Sequence, residues 1–186
     1  MKLNFMTEWS KDMPEHLAEE PTYFIEKILN SMHYDLKTGA ELNKYLQYNK
    51  YGYSCKSDLI NEIINQNSKK HTIRFMTPER AKQWEGNMID FYVKDRTKDA
   101  FKFAPRVPVT TVQRIKIIHH RDFIKGVSAI FINDNRLSDQ NIHELAKNDG
   151  FNNGYDFFAY FNQERIESYK KEGKYPYIIH WTDLKY

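Results

Sequence analysis

Residues 68–75 read SKKHTIRF and set two lysines, a histidine, a threonine and an arginine within one short run. If a strand begins near Lys70, alternation sends Lys70, Thr72 and Arg74 to one face and His71, Ile73 and Phe75 to the other. A hydroxyl is then flanked by cations. Lys69 falls one residue earlier, in a turn region, from which its long side chain can fold back over Thr72, so spacing leaves Lys69 and Lys70 as alternatives. A threonine hydroxyl is a weak nucleophile at its free pKa and needs an adjacent base, such as a lysine whose ammonium is made less stable by burial or neighbouring positive charge. Arg74 is placed to supply that charge or to clamp a phosphate. The plainer reading is an edge strand carrying solvated charges.

A second candidate lies in LSDQNIHELAKNDGF. Ser138 is a favourable N-cap and Gly150 a favourable residue just past the C-terminus, which predicts a helix over about 139–149. Its inward stripe is Ile142, Leu145 and Ala146, and the next position on that stripe is Asp149. A carboxylate there faces apolar neighbours and sits at the negative end of the helix dipole. Both effects predict a raised pKa and a role as proton acceptor or partner of a buried lysine. The plainer reading is a fraying last turn.

These two stretches need elements to position them. Helical spacing appears in PTYFIEKILNSMH, behind Pro21 and Thr22, with Phe24, Ile25, Ile28 and Leu29 as its stripe. It recurs in TGAELNKYLQY and KSDLINEIINQ. From His71 the period becomes strand-like in HTIRF, MIDFYVK, PVTTVQRIKII and VSAIFIN, rich in β-branched and aromatic residues. That pattern predicts a small sheet or barrel. Helical spacing returns in YDFFAYFNQERIESYKK, and YPYIIHW reads as a closing strand. No internal repeat is visible.

The whole chain sets the bounds. Its 186 residues with 40% hydrophobic content predict one domain, and 15% aromatic content argues against disorder. No apolar run reaches membrane-spanning length and the start turns acidic early, so a cytoplasmic protein is expected, with no membrane partner. Residues 1–33 carry three Lys/Arg against six Asp/Glu, whereas residues 69–125 carry fourteen against six. A basic middle of that kind suits single-stranded nucleic acid, with a solvated face as the alternative. The single cysteine, Cys55, excludes an internal disulfide and a CxxC site. His119 and His120 point to opposite strand faces without an i, i+4 partner, which argues against a metal site. No glycine-rich phosphate loop occurs, so no cofactor is expected. Trp84 reads as an anchor for the loop before the second strand, and His180 as part of a strand end, with Trp181 a candidate stacking residue.

Taken in order, KKHTIR, QWEGNMIDFY, LSDQNIHELAKNDGFNNGYDFFAYF and IIHWTDLKY resemble the ASCH-domain family of PUA-like β-barrels. The opening LNF…W and PTYFIEKI resemble the larger bacterial and phage members. The resemblance implies one α+β domain over 1–186, with residues 34–67 as a helical insertion. It also implies RNA or nucleotide binding, and a host-cytoplasmic location if the gene is carried by a phage. One small bacterial branch of the family hydrolyses the amide of 4-acetylcytidine with a lysine, a threonine and a glutamate. Its lysine, three residues before the threonine of TIR, falls on Lys69, its threonine on Thr72 and its arginine on Arg74. Its glutamate falls on Asp149, before Gly150 and Phe151. Aspartate is one methylene shorter, which moves the carboxylate by about 1.5 Å, a displacement that matters to catalytic alignment. The expected function is therefore binding of nucleic acid or a modified nucleoside, with Lys69, Thr72 and Asp149 as the site and Lys70, Arg74 and Trp181 as ligand contacts. The alternatives are an amidohydrolase on an acylated pyrimidine nucleoside, and a phage or mobile-element interaction module that grips a protein partner through 34–67.

Overall fold

The computed structural model describes residues 1–32, 67–119 and 128–186. The expected helices and protein-binding role of 34–67, together with Cys55 and His120, fall outside the described residues, apart from Asn67. The described chain is α+β and holds two sheets.

The first sheet begins with β1 (Lys2–Phe5), where Leu3 and Phe5 point inward and Lys2 and Asn4 outward. β1 runs parallel to β3 (Met88–Val93), pairing Leu3 with Phe91 and Phe5 with Val93. Antiparallel partners β4 (Phe101–Lys102) and β5 (Val107–Pro108) complete it. The second sheet has the order β2-β9-β6-β7-β8 and is antiparallel throughout. Its members are β2 (His71–Met76), β6 (Thr111–Ile118), β7 (Ala129–Ile132), β8 (Asn135–Arg136) and β9 (Tyr175–His180). Among the described residues these strands make two sheets rather than a closed barrel, so the barrel expected from the sequence is not seen there.

The helices follow their local chemistry. α1 (Phe24–Ser31) starts two residues later than Pro21 and Thr22 suggested. Thr22 Oγ1 instead accepts from the Phe24 N–H at 3.3 Å and donates to the Met6 carbonyl at 2.8 Å, tying the helix start to the chain after β1. α2 (Pro78–Trp84) has Thr77 as N-cap, accepting from the Arg80 N–H, and Pro78 at the first helical position. Trp84 is buried at its end, where the turn into β3 begins. α3 (Asp139–Asn148) is capped by Ser138 as expected, and Asp149 is its C-cap. The long helical run after it divides into α4 (Gly154–Tyr160) and α5 (Gln163–Lys171). The break occurs because the Asn162 side chain accepts from the Arg165 N–H at 2.9 Å and caps a new helix. PVTTVQRIKII likewise divides into β5 and β6 around Val109 and Thr110.

An aromatic cluster joins the two sheets. Phe5 meets Phe91, Phe103 and Trp181, and Phe91 meets Trp181 edge to face at 5.3 Å. The Trp181 indole N–H donates to Ser31 Oγ at 3.0 Å, inside the protein. Trp181 is therefore a core residue that links β9, α1 and the first sheet, and the stacking role expected for it is not supported by its position. Trp181→Ala should lower unfolding stability by about 3–5 kcal/mol, the cost typical of truncating a large buried aromatic. Chemical denaturation of the variant checks this, and a loss under about 1 kcal/mol would place the ring outside the core.

Candidate functional site

The end of α3 is where the sequence candidates meet. Gly150 N–H bonds to the Lys147 carbonyl at 2.9 Å and Phe151 N–H to the Ala146 carbonyl at 3.0 Å, the pair of bonds that closes a helix through a left-handed residue. Gly150 has φ +95°, and a Cβ there would stand 2.8 Å from Phe24 Cε1 and 3.2 Å from Lys69 Cδ. Only glycine allows both the backbone turn and the approach of those two side chains.

Three further carbonyls at this end find donors outside the helix. The Asn148 carbonyl accepts from the Lys70 N–H at 2.8 Å, the Asp149 carbonyl from Lys69 Nζ, and the Gly150 carbonyl from Lys27 Nζ at 2.8 Å. Lys69 Nζ also donates to Asp149 Oδ1 at 2.8 Å. The same oxygen accepts from the Ile73 N–H at 3.1 Å. Lys69 and Asp149 are buried, with side-chain exposures of 2% and 5%. The Lys69 backbone N–H bonds to the Lys27 carbonyl at 2.9 Å, so the two lysines enter side by side from α1 and from the approach to β2.

His71 adds a second layer. Its Nδ1 lies 3.6 Å from Asp149 Oδ1 and its Nε2 lies 2.9 Å from the Tyr186 hydroxyl. Asn148 Nδ2 donates to that hydroxyl at 3.0 Å, so the phenol proton is best assigned to His71 Nε2 and the imidazole proton to Nδ1, facing Asp149. The His180 ring stands 5.1 Å from the His71 ring, and neither of its nitrogens has a hydrogen-bond partner among the described residues.

Electrostatics follow from this burial. Loss of water lowers the Lys69 pKa to about 8, helped by Arg74 and opposed by Asp149. Lys27 is likewise brought down to about 8 by burial and by the charge of Lys69. Burial pushes the Asp149 carboxyl up, but the Lys69 ammonium, aided by the nearby His71 ring, outweighs it, and the carboxyl stays below its usual range. The sequence reading of a raised Asp149 pKa is thus corrected. It counted the dipole and the apolar stripe, but not the ammonium that meets the carboxylate. Burial lowers the His180 pKa to about 3, and the His71 pKa also falls.

Lys69, Thr72, Arg74 and Asp149 line one cavity of about 30 Å³ together with Trp9, Phe24 and Tyr160. Its inner wall is buried, and half-buried Met6, Arg74 and Tyr160 stand at its rim. That volume holds on the order of one or two waters. Arg74 donates from Nη2 to the Asn4 carbonyl at 2.8 Å and lies 5.0 Å from the Phe5 ring centre. Its Nε is buried without a partner among the described residues. The sequence candidates Lys69, Thr72, Arg74 and Asp149 are therefore brought together. Lys70 contributes its backbone to the helix end and does not line the cavity, and Trp181 is in the core. His119 Nε2 donates to the Phe161 carbonyl at 2.7 Å, and no His/Cys/Asp/Glu group suited to a metal occurs among the described residues.

Sequence reasoning missed Lys27, His71 and Tyr186. Lys27 had a visible signal, since it lies three residues after Phe24 on the buried side of α1. Tyr186 had none, because its contact with β2 spans 115 residues of chain. No family model, curated protein or solved structure matches this chain.

Two predictions follow from the cluster. Asp149→Asn leaves the buried Lys69 ammonium without its counter-charge and should cost about 3–5 kcal/mol in denaturant unfolding; unchanged stability would mean that the pair is solvated. The buried histidines bind protons more weakly folded than unfolded, so between about pH 6.5 and 3 the unfolded chain holds more protons. Stability should fall as pH drops through that window. His180→Phe should flatten that acid limb in thermal melts, and an unaltered limb would show that His180 does not cause it.

Proposed function

We propose that this chain is a PUA-like domain of the ASCH type that binds a modified pyrimidine nucleoside, free or within RNA, at the Lys69–Asp149 cavity. The observation that carries this reading is convergence. KKHTIR, NDGF and IIHW lie far apart in the sequence, yet Thr72 pairs with Ile179 across β2 and β9, and the turn at Gly150 closes over Lys69. The cavity they surround combines aromatic walls, which suit a base, with a cation, a carboxylate and a hydroxyl, which suit its polar edge. A nucleoside is larger than the closed cavity, so entry requires Tyr160 and Arg74 at the rim to swing aside.

A second reading is favoured by Thr72 and Lys69 lining the same space. As an amidohydrolase, neutral Lys69 takes the Thr72 hydroxyl proton while Oγ1 bonds to the acyl carbon. The proton then passes to the leaving amine as the C–N bond breaks, and water hydrolyses the acyl-threonine. With a pKa of about 8, an appreciable minority of Lys69 is neutral near neutrality. Asp149 orients the lysine in this scheme.

Equilibrium dialysis with 4-acetylcytidine and cytidine, with products followed by mass, tests both. Binding of the acetylated nucleoside without turnover supports the first reading. Release of cytidine that is abolished in Thr72→Val, with binding retained, supports the second. Absence of binding to either nucleoside and to single-stranded RNA would overturn both.

A further inference from the structure

A larger space lies elsewhere, between the outer side of β6 and α5. It measures about 410 Å³, and Arg114, Lys116, Lys170 and Lys174 all line it, against the single carboxylate of Glu167. Alternation along β6 explains half of that charge. Ile115 and Ile117 are buried, so Arg114 and Lys116 between them project outward. The other half comes from the last turn of α5 and the turn after it, where Lys170 and Lys174 follow from the helix meeting β9.

Four cations crowded around one hollow repel one another and favour an anion. Among the described residues neither Arg114 nor Lys116 meets a carboxylate. Arg114 lies 5.3 Å from the Tyr175 ring centre and Lys116 lies 5.9 Å from that of Phe131, so both are held by ring faces. Lys170 pairs with Glu167 at 3.4 Å and Lys174 with Glu172 at 2.5 Å; Lys170 and both glutamates are at least half exposed and Lys174 is 39% exposed. Exposed pairs of this kind are worth little and give way readily to a stronger anion. Ile166 and Tyr175 supply apolar surface within the same hollow. Cations, a ring–guanidinium stack and an apolar wall in one groove match a phosphate joined to a base.

We infer that the groove between β6 and α5 binds a nucleotide unit, phosphate against Arg114, Lys116, Lys170 and Lys174, and base against Tyr175. The volume accommodates one nucleotide, either free or as part of a single strand. This site is separate from the Lys69 cavity and stands or falls without it.

The test is fluorescence anisotropy of labelled oligouridylate over a salt series, with uridine monophosphate and poly-glutamate as competitors. The full-length chain is compared with Arg114→Ala/Lys116→Ala, with Lys170→Ala/Lys174→Ala, and with Lys98→Ala/Arg106→Ala as a control at other exposed basic positions. Each groove pair should weaken oligouridylate binding at least tenfold at low salt and reduce the salt slope, since each phosphate contact releases counterion. The control should change it less than threefold. Competition by uridine monophosphate indicates a free nucleotide as a sufficient ligand; competition by the oligomer alone indicates a strand. Equal competition by poly-glutamate, equal loss in the control, or full affinity in both folded groove variants would overturn the assignment. Groove variants that keep binding, while a Thr72→Val variant loses it, would remove the groove and leave the cavity reading in place.

Discussion

The C-terminal end of α3 depends on two lysines that the helix does not itself contain. Its last carbonyls and the Asp149 carboxylate gather negative charge away from water, where it is costly unless opposed. Lys69 and Lys27 oppose it, one from the approach to β2 and one from α1, and each ammonium donates to a carbonyl of the helix end. The glycine at 150 is what lets the carbonyls turn outward to meet them. Remove either ammonium and the carbonyl it serves is orphaned; remove the carboxylate and the cations face each other.

That single arrangement ties together elements that no sheet ladder connects. β2 is fixed against α3 by Ile73 N–H on the carboxylate and Lys70 N–H on the helix carbonyl. α1 is fixed through Lys27, and β9 follows because it pairs with β2 along its full length. The chemical consequence is that two amines are held with depressed pKa values, and one of them, Lys69, lines a small cavity together with the Thr72 side chain. A structural clamp and the candidate site share the same atoms here. Burial makes each partner of the clamp costly to remove, and burial also leaves more of the Lys69 amine unprotonated near neutrality.

Much of this was legible in the sequence where the signal is local. The SKKHTIRF strand, the capped helix expected over about 139–149 and the inward stripe ending at Asp149 depend on spacing and capping within a few residues, and they appear close to expectation, the helix ending at Asn148 with Asp149 as its C-cap. Asp149 on an apolar stripe correctly signalled a buried partner. Its pKa direction was misjudged because the partner's charge is a tertiary fact. Lys27 was hidden by the habit of assigning lysines to solvent. β1 was too short to register, and its burial comes from β3, some 88 residues away. The barrel expected from the resemblance would need the strands to close on one another, which pattern alone does not determine.

The central claim is that Lys27 and Lys69 are buried cations closing the α3 end, and NMR titration of lysine side-chain Cε resonances tests it most directly. Two resonances should titrate near pH 8, well below the ordinary lysine range, and Lys27→Met and Lys69→Met should each remove one of them. If every lysine titrated together near pH 10.5, both amines would be in water, and neither the clamp nor the site built on it would exist.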